Sequence, residues 1–204
     1  MRRRTLATAV AAASAAALAA SLAVTAPAQA ATTAGDGAIR PVAAVDVQRY
    51  LGDWYQLADL PQWYEAFCLS GTRARYGLNA DGTVSVANRC TGPFGTTIPT
   101  NGTARVLDPG TNARLQVSFL SFAGRPIFTG STPNYVIIGL ADDYSWAVVG
   151  DPSRSSAYLL SRTVTLDAAR LAAAKGALSA SGYDPCSLTV TPQPGGATAK
   201  TTLC

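Results

Sequence analysis

Between Trp54 and Thr163 the chain repeats one theme: short alternating or β-branched runs separated by turn residues. The clearest alternations are Thr72–Tyr76, Thr83–Val86, Thr103–Val106, Arg114–Phe119 and Tyr158–Arg162. Turn signals fall between them at Asn79-Ala80-Asp81-Gly82, Asp108-Pro109-Gly110 and Asp151-Pro152-Ser153. Adding a first run from Trp54 and the apolar runs Tyr135–Leu140 and Trp146–Val149 brings the count to about eight. Sequential antiparallel strands in that number can close on themselves. Closure removes the exposed edges and leaves an interior wide enough for side chains or one small ligand. The expected fold class is therefore all-β, an eight-stranded antiparallel up-and-down β-barrel, with a flat sandwich as the alternative. Thr165 is positioned to cap a helix whose apolar stripe, Leu171, Ala174 and Leu178, should pack on the outside of the barrel, with Gly182 ending it. Ser187–Thr191 reads as a last short strand. Beyond Pro192 the Pro, Gly and Thr content predicts little order before Cys204.

The N-terminus has the form of a secretory signal peptide over residues 1–30: Met1-Arg2-Arg3-Arg4, an apolar run from Leu6 to Val24, and Ala28-Gln29-Ala30 before the cleavage point. No cysteine lies near that point to take a lipid anchor, so the expected product is secreted, extracellular and free after cleavage near Ala30. Residues 31–44 read as a flexible arm and 45–204 as one barrel domain with its tail. Loss of Arg2, Arg3 and Arg4 leaves 13 of the 16 basic residues against 12 acidic ones. The remaining arginines are scattered singly, so no phosphate-tracking groove forms and nucleic acid is not expected as a partner. Cys68, Cys90, Cys186 and Cys204 are an even set in an exported chain, which favours two disulfides over free thiols or a metal site. The hairpin turning at 79–82 should bring Cys68 to Cys90, leaving Cys186 to Cys204; the rival pairing joins Cys90 to Cys204.

Gly52-Asp53-Trp54-Tyr55, preceded by Tyr50-Leu51 and followed by Leu57, resembles the opening of the first lipocalin strand. Asn79 to Asn88 is similar to the second and third strands of bacterial outer-membrane lipocalins and of apolipoprotein D. Asp143-Tyr144-Ser145-Trp146 resembles the family's Thr-Asp-Tyr region, with Asp142 in the threonine position, and Leu159-Leu160-Ser161-Arg162-Thr163 resembles its third signature. The resemblance spans Val45 to Val190. It implies that Gly52, Trp54, Asp143, Tyr144 and Arg162 close one end of the barrel, with Arg162 stacked on Trp54. The segment Pro61 to Phe67 departs from the family pattern, so the loop at the open end is this chain's own. Its Trp63, Tyr64 and Phe67 could serve as a greasy lid, a membrane-contact patch or a packed loop.

Alternation assigns the inward faces. Arg73 and Arg75 must face water, which turns Thr72, Ala74 and Tyr76 inward. The same period selects Val84, Val86 and Asn88, Ala104 and Val106, Leu115, Val117 and Phe119, and, if Arg162 meets Trp54, Tyr158 and Leu160. Tyr135, Ile137 and Trp146 join this set although both faces of their strands are apolar. The expected ligand-binding residues are thus Tyr76, Val84, Val86, Asn88, Leu115, Val117, Phe119, Tyr135, Trp146 and Tyr158. They form an apolar wall with a few hydroxyl and amide groups, suited to an amphipathic lipid.

The chain contains no histidine, which removes imidazole-based triads, His-ligated zinc and His-ligated haem. No catalytic residue, metal or cofactor is expected. The leading expectation is a carrier or store for a small hydrophobic ligand, a fatty acid or lysophospholipid being what the resemblance implies, in a monomer or dimer. The alternatives are an extracellular protein-interaction module with a filled barrel and a lipocalin-type enzyme.

Overall fold

The computed structural model describes residues 39–204; the expected leader and residues 31–38 of the expected arm lie outside the described residues. A four-residue helix, α1 (Val47–Tyr50), is capped by the Asp46 side chain and leads into β1 (Gly52–Asp59). β2 (Ser70–Leu78), β3 (Val84–Thr91), β4 (Thr97–Val106) and β5 (Arg114–Ser118) follow as a meander. A small separate hairpin, β6 (Ser121–Phe122) and β7 (Arg125–Pro126), precedes β8 (Tyr135–Leu140), β9 (Trp146–Gly150) and β10 (Ala157–Ser161). Helix α2 (Ala168–Ala180) and the short β11 (Thr189–Val190) complete the fold.

The main sheet runs in the order β10-β9-β8-β5-β4-β3-β2-β1, and β1 pairs with β10 through Tyr55↔Ser161 and Asp59↔Tyr158. That pairing closes eight antiparallel strands into a barrel, not a sandwich. Two of the expected turns shape the closed end, and the third, at Asp151-Pro152-Ser153, joins β9 to β10 at the open end. Asp81 accepts the Thr83 N–H and hydroxyl while Gly82 takes φ +82°, and the Asp108 carbonyl accepts from Thr111 and Asn112.

Two apolar clusters divide the core. The inner one fills the barrel around Trp54, Tyr76, Val84, Val86, Ile137 and Val149. The outer one lies between α2 and the outer wall of β8, β9, β10 and β1, around Val136, Val148, Leu159, Ala174 and Leu178. Gly139 permits this packing, because a Cβ there would stand 2.6 Å from the Ala177 Cβ. Leu171 packs at the edge of the same cluster, so the predicted stripe of α2 is the buried one. The cap is Asp167, not Thr165: Asp167 directly precedes the first helical residue and its carboxylate accepts the Arg170 N–H at 2.8 Å.

Two segments expected to be loose are packed. Ile39 is buried in the outer cluster and the Val42 N–H donates to the Ile137 carbonyl, so from Ile39 onward the arm lies on the barrel. The tail beyond Pro192 is held by contacts its composition does not reveal. β1 and β2 pair only from Gly52↔Tyr76 to Tyr55↔Arg73 and then diverge, and β11 pairs with β1 through Ala58↔Val190 and Asp59↔Thr189. The next residues fill the gap. Thr191 N–H donates to the Leu57 carbonyl, Gly71 N–H donates to the Pro192 carbonyl, and Gln193 Nε2 donates to the carbonyls of Gln56 and Thr72 at 2.8 Å each. Disulfides Cys68–Cys90 and Cys186–Cys204 are formed, as the favoured pairing anticipated. The second fixes the end of the tail, whose Lys200 Nζ donates to the Cys68 carbonyl.

Candidate functional site

At the closed end, Gly52 adopts φ +92°, a conformation an L side chain strains to reach, and the Arg162 guanidinium lies close above it. Arg162 sits 3.7 Å over the Trp54 ring and donates to the carbonyls of Asp53 (2.7 Å) and Arg49 (2.8 Å). Trp54 is fully buried, and its indole N–H donates to the Tyr50 carbonyl. Tyr144, at φ +60°, accepts the Asp46 N–H on its hydroxyl and lies under the Arg49 guanidinium. Asp143 binds the Ser145 N–H and pairs with Arg170 of α2 at 3.1 Å. These five positions lie together at the end where strands β2 and β3, β4 and β5, and β8 and β9 are joined by short turns.

Above this plug the interior is apolar. Tyr76, Val84, Val86, Leu115 and Val117, expected from alternation, and Tyr135, expected although its strand is apolar on both faces, line a space of about 30 Å³. The wall also takes in Val45, Val47, Tyr50, Leu51, Asn112 and Ile137. The Tyr135 hydroxyl contacts those of Tyr50 (2.8 Å) and Tyr76 (3.0 Å), forming a hydrogen-bonded triad inside the barrel. Burial pushes the Tyr76 phenol up to about 12 and raises Tyr50 and Tyr135 well above the usual phenol range, so all three are neutral donors and acceptors. Asn88 lies on the same strand face as Val84 and Val86. Its Oδ1 is buried without a hydrogen-bond partner among the described residues, and Asn88 lines neither of the two cavities.

Toward the open end the lining changes character. A second cavity, of about 350 Å³, is bordered by Gln56, Asp59, Glu65, Thr72, Thr191 and Lys200 among others. Gln56 Nε2 donates to Glu65 at 2.9 Å, and Thr191 Oγ1 donates to Asp59 at 3.2 Å. Desolvation raises both carboxyls above their ordinary values, only partly offset by these hydrogen bonds and by Lys200. Tyr158 borders this end and not the deep space: its hydroxyl meets that of Tyr64 at 2.6 Å, and burial pushes its phenol far up.

Two expected cavity residues lie elsewhere. Trp146 is on the outer wall, against Gly139 and in the cluster under α2. Both faces of β9 are buried, so alternation gave no direction there, and it is Ala147 and Val149 that face inward. Phe119 is half exposed beyond the end of β5 and covers Gly102, where a Cβ would stand 2.7 Å from its ring. Among residues not foreseen, Gln56 was within reach, since a period of two from Trp54 turns it inward. Tyr50, Val45 and Val47 precede the first strand, where no strand period operates. Thr191 and Lys200 reach the mouth only because the tail folds back.

Comparison with known proteins agrees with this geometry. Residues 45–193 match the model of a lipocalin-like domain. The chain is 35% identical over 153 residues to temperature-induced lipocalin-1 of Arabidopsis thaliana, covering 74% of this chain and 81% of the plant protein. It is 34% identical over 131 residues to outer membrane lipoprotein Blc of Vibrio cholerae, covering 63% and 71% respectively. Among solved structures, insecticyanin from the tobacco hornworm Manduca sexta shares the fold with a TM-score of 0.60 at 17% identity, covering 80% of this chain and 89% of insecticyanin.

Proposed function

The chain belongs to the lipocalin family, and from that premise we propose that it binds and carries an amphipathic lipid in its barrel, outside the cytoplasm. Lipocalins generally bind small hydrophobic ligands and are typically carriers, not enzymes. The observation that carries the proposal is an apolar barrel interior whose polar groups are a few tyrosine hydroxyls, with a polar cavity of about 350 Å³ bordered by β1, β2, the loop between them and the tail. A fatty acid or lysophospholipid fits that order. Its head would remain with Gln56, Thr72, Thr191 and Lys200, and its chain would run down past Tyr76, Val86, Val117 and Tyr135. The deep space of about 30 Å³ holds little more than a water molecule, so entry of the chain requires the tyrosine triad to turn aside. Burial of a twelve-carbon chain at about 0.8 kcal/mol per methylene supplies on the order of 9 kcal/mol, which works against the cost of that rearrangement and of ordering the chain. Two disulfides support an extracellular location, since such bonds persist in oxidising compartments.

The small deep space also favours a second reading, a filled barrel that acts as a protein-interaction module through Trp63, Tyr64 and Phe67. Native mass spectrometry of the purified oxidised protein, followed by extraction and displacement of a fluorescent fatty acid, separates the two. Stoichiometric lipid lost in Val117→Asp, with near-ultraviolet circular dichroism unchanged, supports the carrier. An empty protein that takes up no fatty acid refutes it.

A further inference from the structure

The surface is asymmetric along the barrel axis. Among the described residues, nine of the ten exposed large hydrophobic side chains lie in the three loops that leave the open ends of β1, β3 and β5; the exception is Leu78 at the closed end. Trp63 and Phe67 project from the first loop, Phe94 from the second, and Leu120 and Phe122 from the third, all at least two-thirds exposed. Phe94 is held at φ 57° beside Gly95 and touches nothing that would repay the strain of that conformation. Patches of this kind mark contact surfaces.

Charge distinguishes what the surface contacts. Arg73 and Arg89 face each other across β2 and β3, and Arg125 sits opposite Phe122 in the small hairpin. None of these three guanidiniums has an ion-pair or hydrogen-bond partner among the described residues, and like charges placed directly opposite each other are unfavourable unless an anion joins them. The open-end loops present no fully exposed carboxylate: Glu65 turns into the mouth toward Gln56, and Asp151 is buried in its own loop. Of the exposed acids, Asp46, Asp53, Asp81, Asp142, Asp143 and Asp167 are at the opposite end, and Asp184, next to Tyr183 whose hydroxyl reaches the β9–β10 turn, is the one level with the open-end loops. Arg89 lies two residues back from the end of β3, about 7 Å along the strand. Aromatic tips ahead of Arg73 and Arg89 by that distance match the spacing between the acyl boundary and the phosphates of a bilayer, and Arg125 stands level with Phe122.

We propose that the open end docks on an anionic phospholipid bilayer, with Trp63, Phe67, Phe94 and Phe122 in the acyl boundary and Arg73, Arg89 and Arg125 on lipid phosphates. The mouth then faces the membrane. The closed end offers a single exposed large hydrophobic side chain, Leu78, which fixes the orientation.

The test uses the oxidised chain from residue 31, which keeps the whole closed barrel and both disulfides, and phosphatidylcholine vesicles with and without phosphatidylglycerol. Trp54 and Trp146 are buried, so a blue shift of emission and quenching by brominated acyl chains report on Trp63. Co-sedimentation with the anionic vesicles, accompanied by that shift, is expected. Removing two surface charges in R89Q/R125Q should weaken binding about thirtyfold. F94S/F122S should weaken it at least tenfold, and L78S at the closed end should leave it unchanged. Equal binding to both vesicle types, an unmoved Trp63 emission, or an effect of L78S as large as that of F94S/F122S would each overturn the proposal.

Discussion

Replacement of Arg162 by alanine is the sharpest probe of the closed end. The guanidinium contributes a cation–π contact at 3.7 Å, which at such sites contributes about 0.5–2 kcal/mol. It also satisfies two carbonyls at 2.7 and 2.8 Å, and because the group is partly exposed, water recovers some of each bond, leaving about 1 kcal/mol apiece. The expected loss is about 3 kcal/mol. With a urea slope of about 2 kcal/mol per molar, the unfolding midpoint should fall by about 1.5 M. Lysine in the same place keeps the charge but has neither the planar face for the indole nor the fork for two carbonyls, and should recover less than half of the loss. The assay is urea unfolding followed by far-ultraviolet circular dichroism, with near-ultraviolet bands reporting on Trp54. A shift below about 0.3 M in Arg162→Ala, or full recovery with lysine, would refute the reasoning.

Further outcomes follow from other contacts. Gly139→Ala should destabilise by about 1–3 kcal/mol through its clash with Ala177, and Ala177→Gly in the same chain should recover most of it; additivity of the two in a double-mutant cycle would rule out the contact. Replacing Cys186 and Cys204 by serine opens a loop of 18-residue separation and should cost about 3 kcal/mol, with hydrogen exchange increasing first at the Thr191 and Gly71 amides. Asp59 and Glu65 have raised folded-state values, so the folded protein binds protons more tightly there and these groups oppose folding as pH rises through that range. Asp59→Asn and Glu65→Gln should therefore stabilise the protein at neutral pH, and the gain should vanish below about pH 4, where the unfolded carboxyls are protonated too.

The barrel was legible because its strands alternate where one face is wet. Thr72 to Tyr76 carries two arginines that orient the whole strand, and Val84, Val86, Leu115 and Val117 follow from the same rule. Trp146 was not legible, because α2 covers the outer face of β9 and makes both sides apolar; only the partner helix decides which side is which. Phe119 failed for a different reason. β5 ends at Ser118, and a period of two says nothing about a residue beyond the strand. The polar mouth depends on long-range return of the tail, since Thr191 lies 135 residues from Gln56, its hydrogen-bond partner. Composition around Pro192 and Gly195 describes local chain stiffness, and no local signal could place those residues in the wall.

The insertion of Thr191 and Gln193 between β1 and β2 also constrains when this protein can finish folding. The strands that flank the gap are made first and the segment that seals it long after them, so a ribosome-bound chain holds an incomplete wall until Gln193 has been made. The closing pair Tyr55↔Ser161 shares this delay. A stop codon placed after α2 would leave a barrel with a seam along its side, even though every barrel strand had been made.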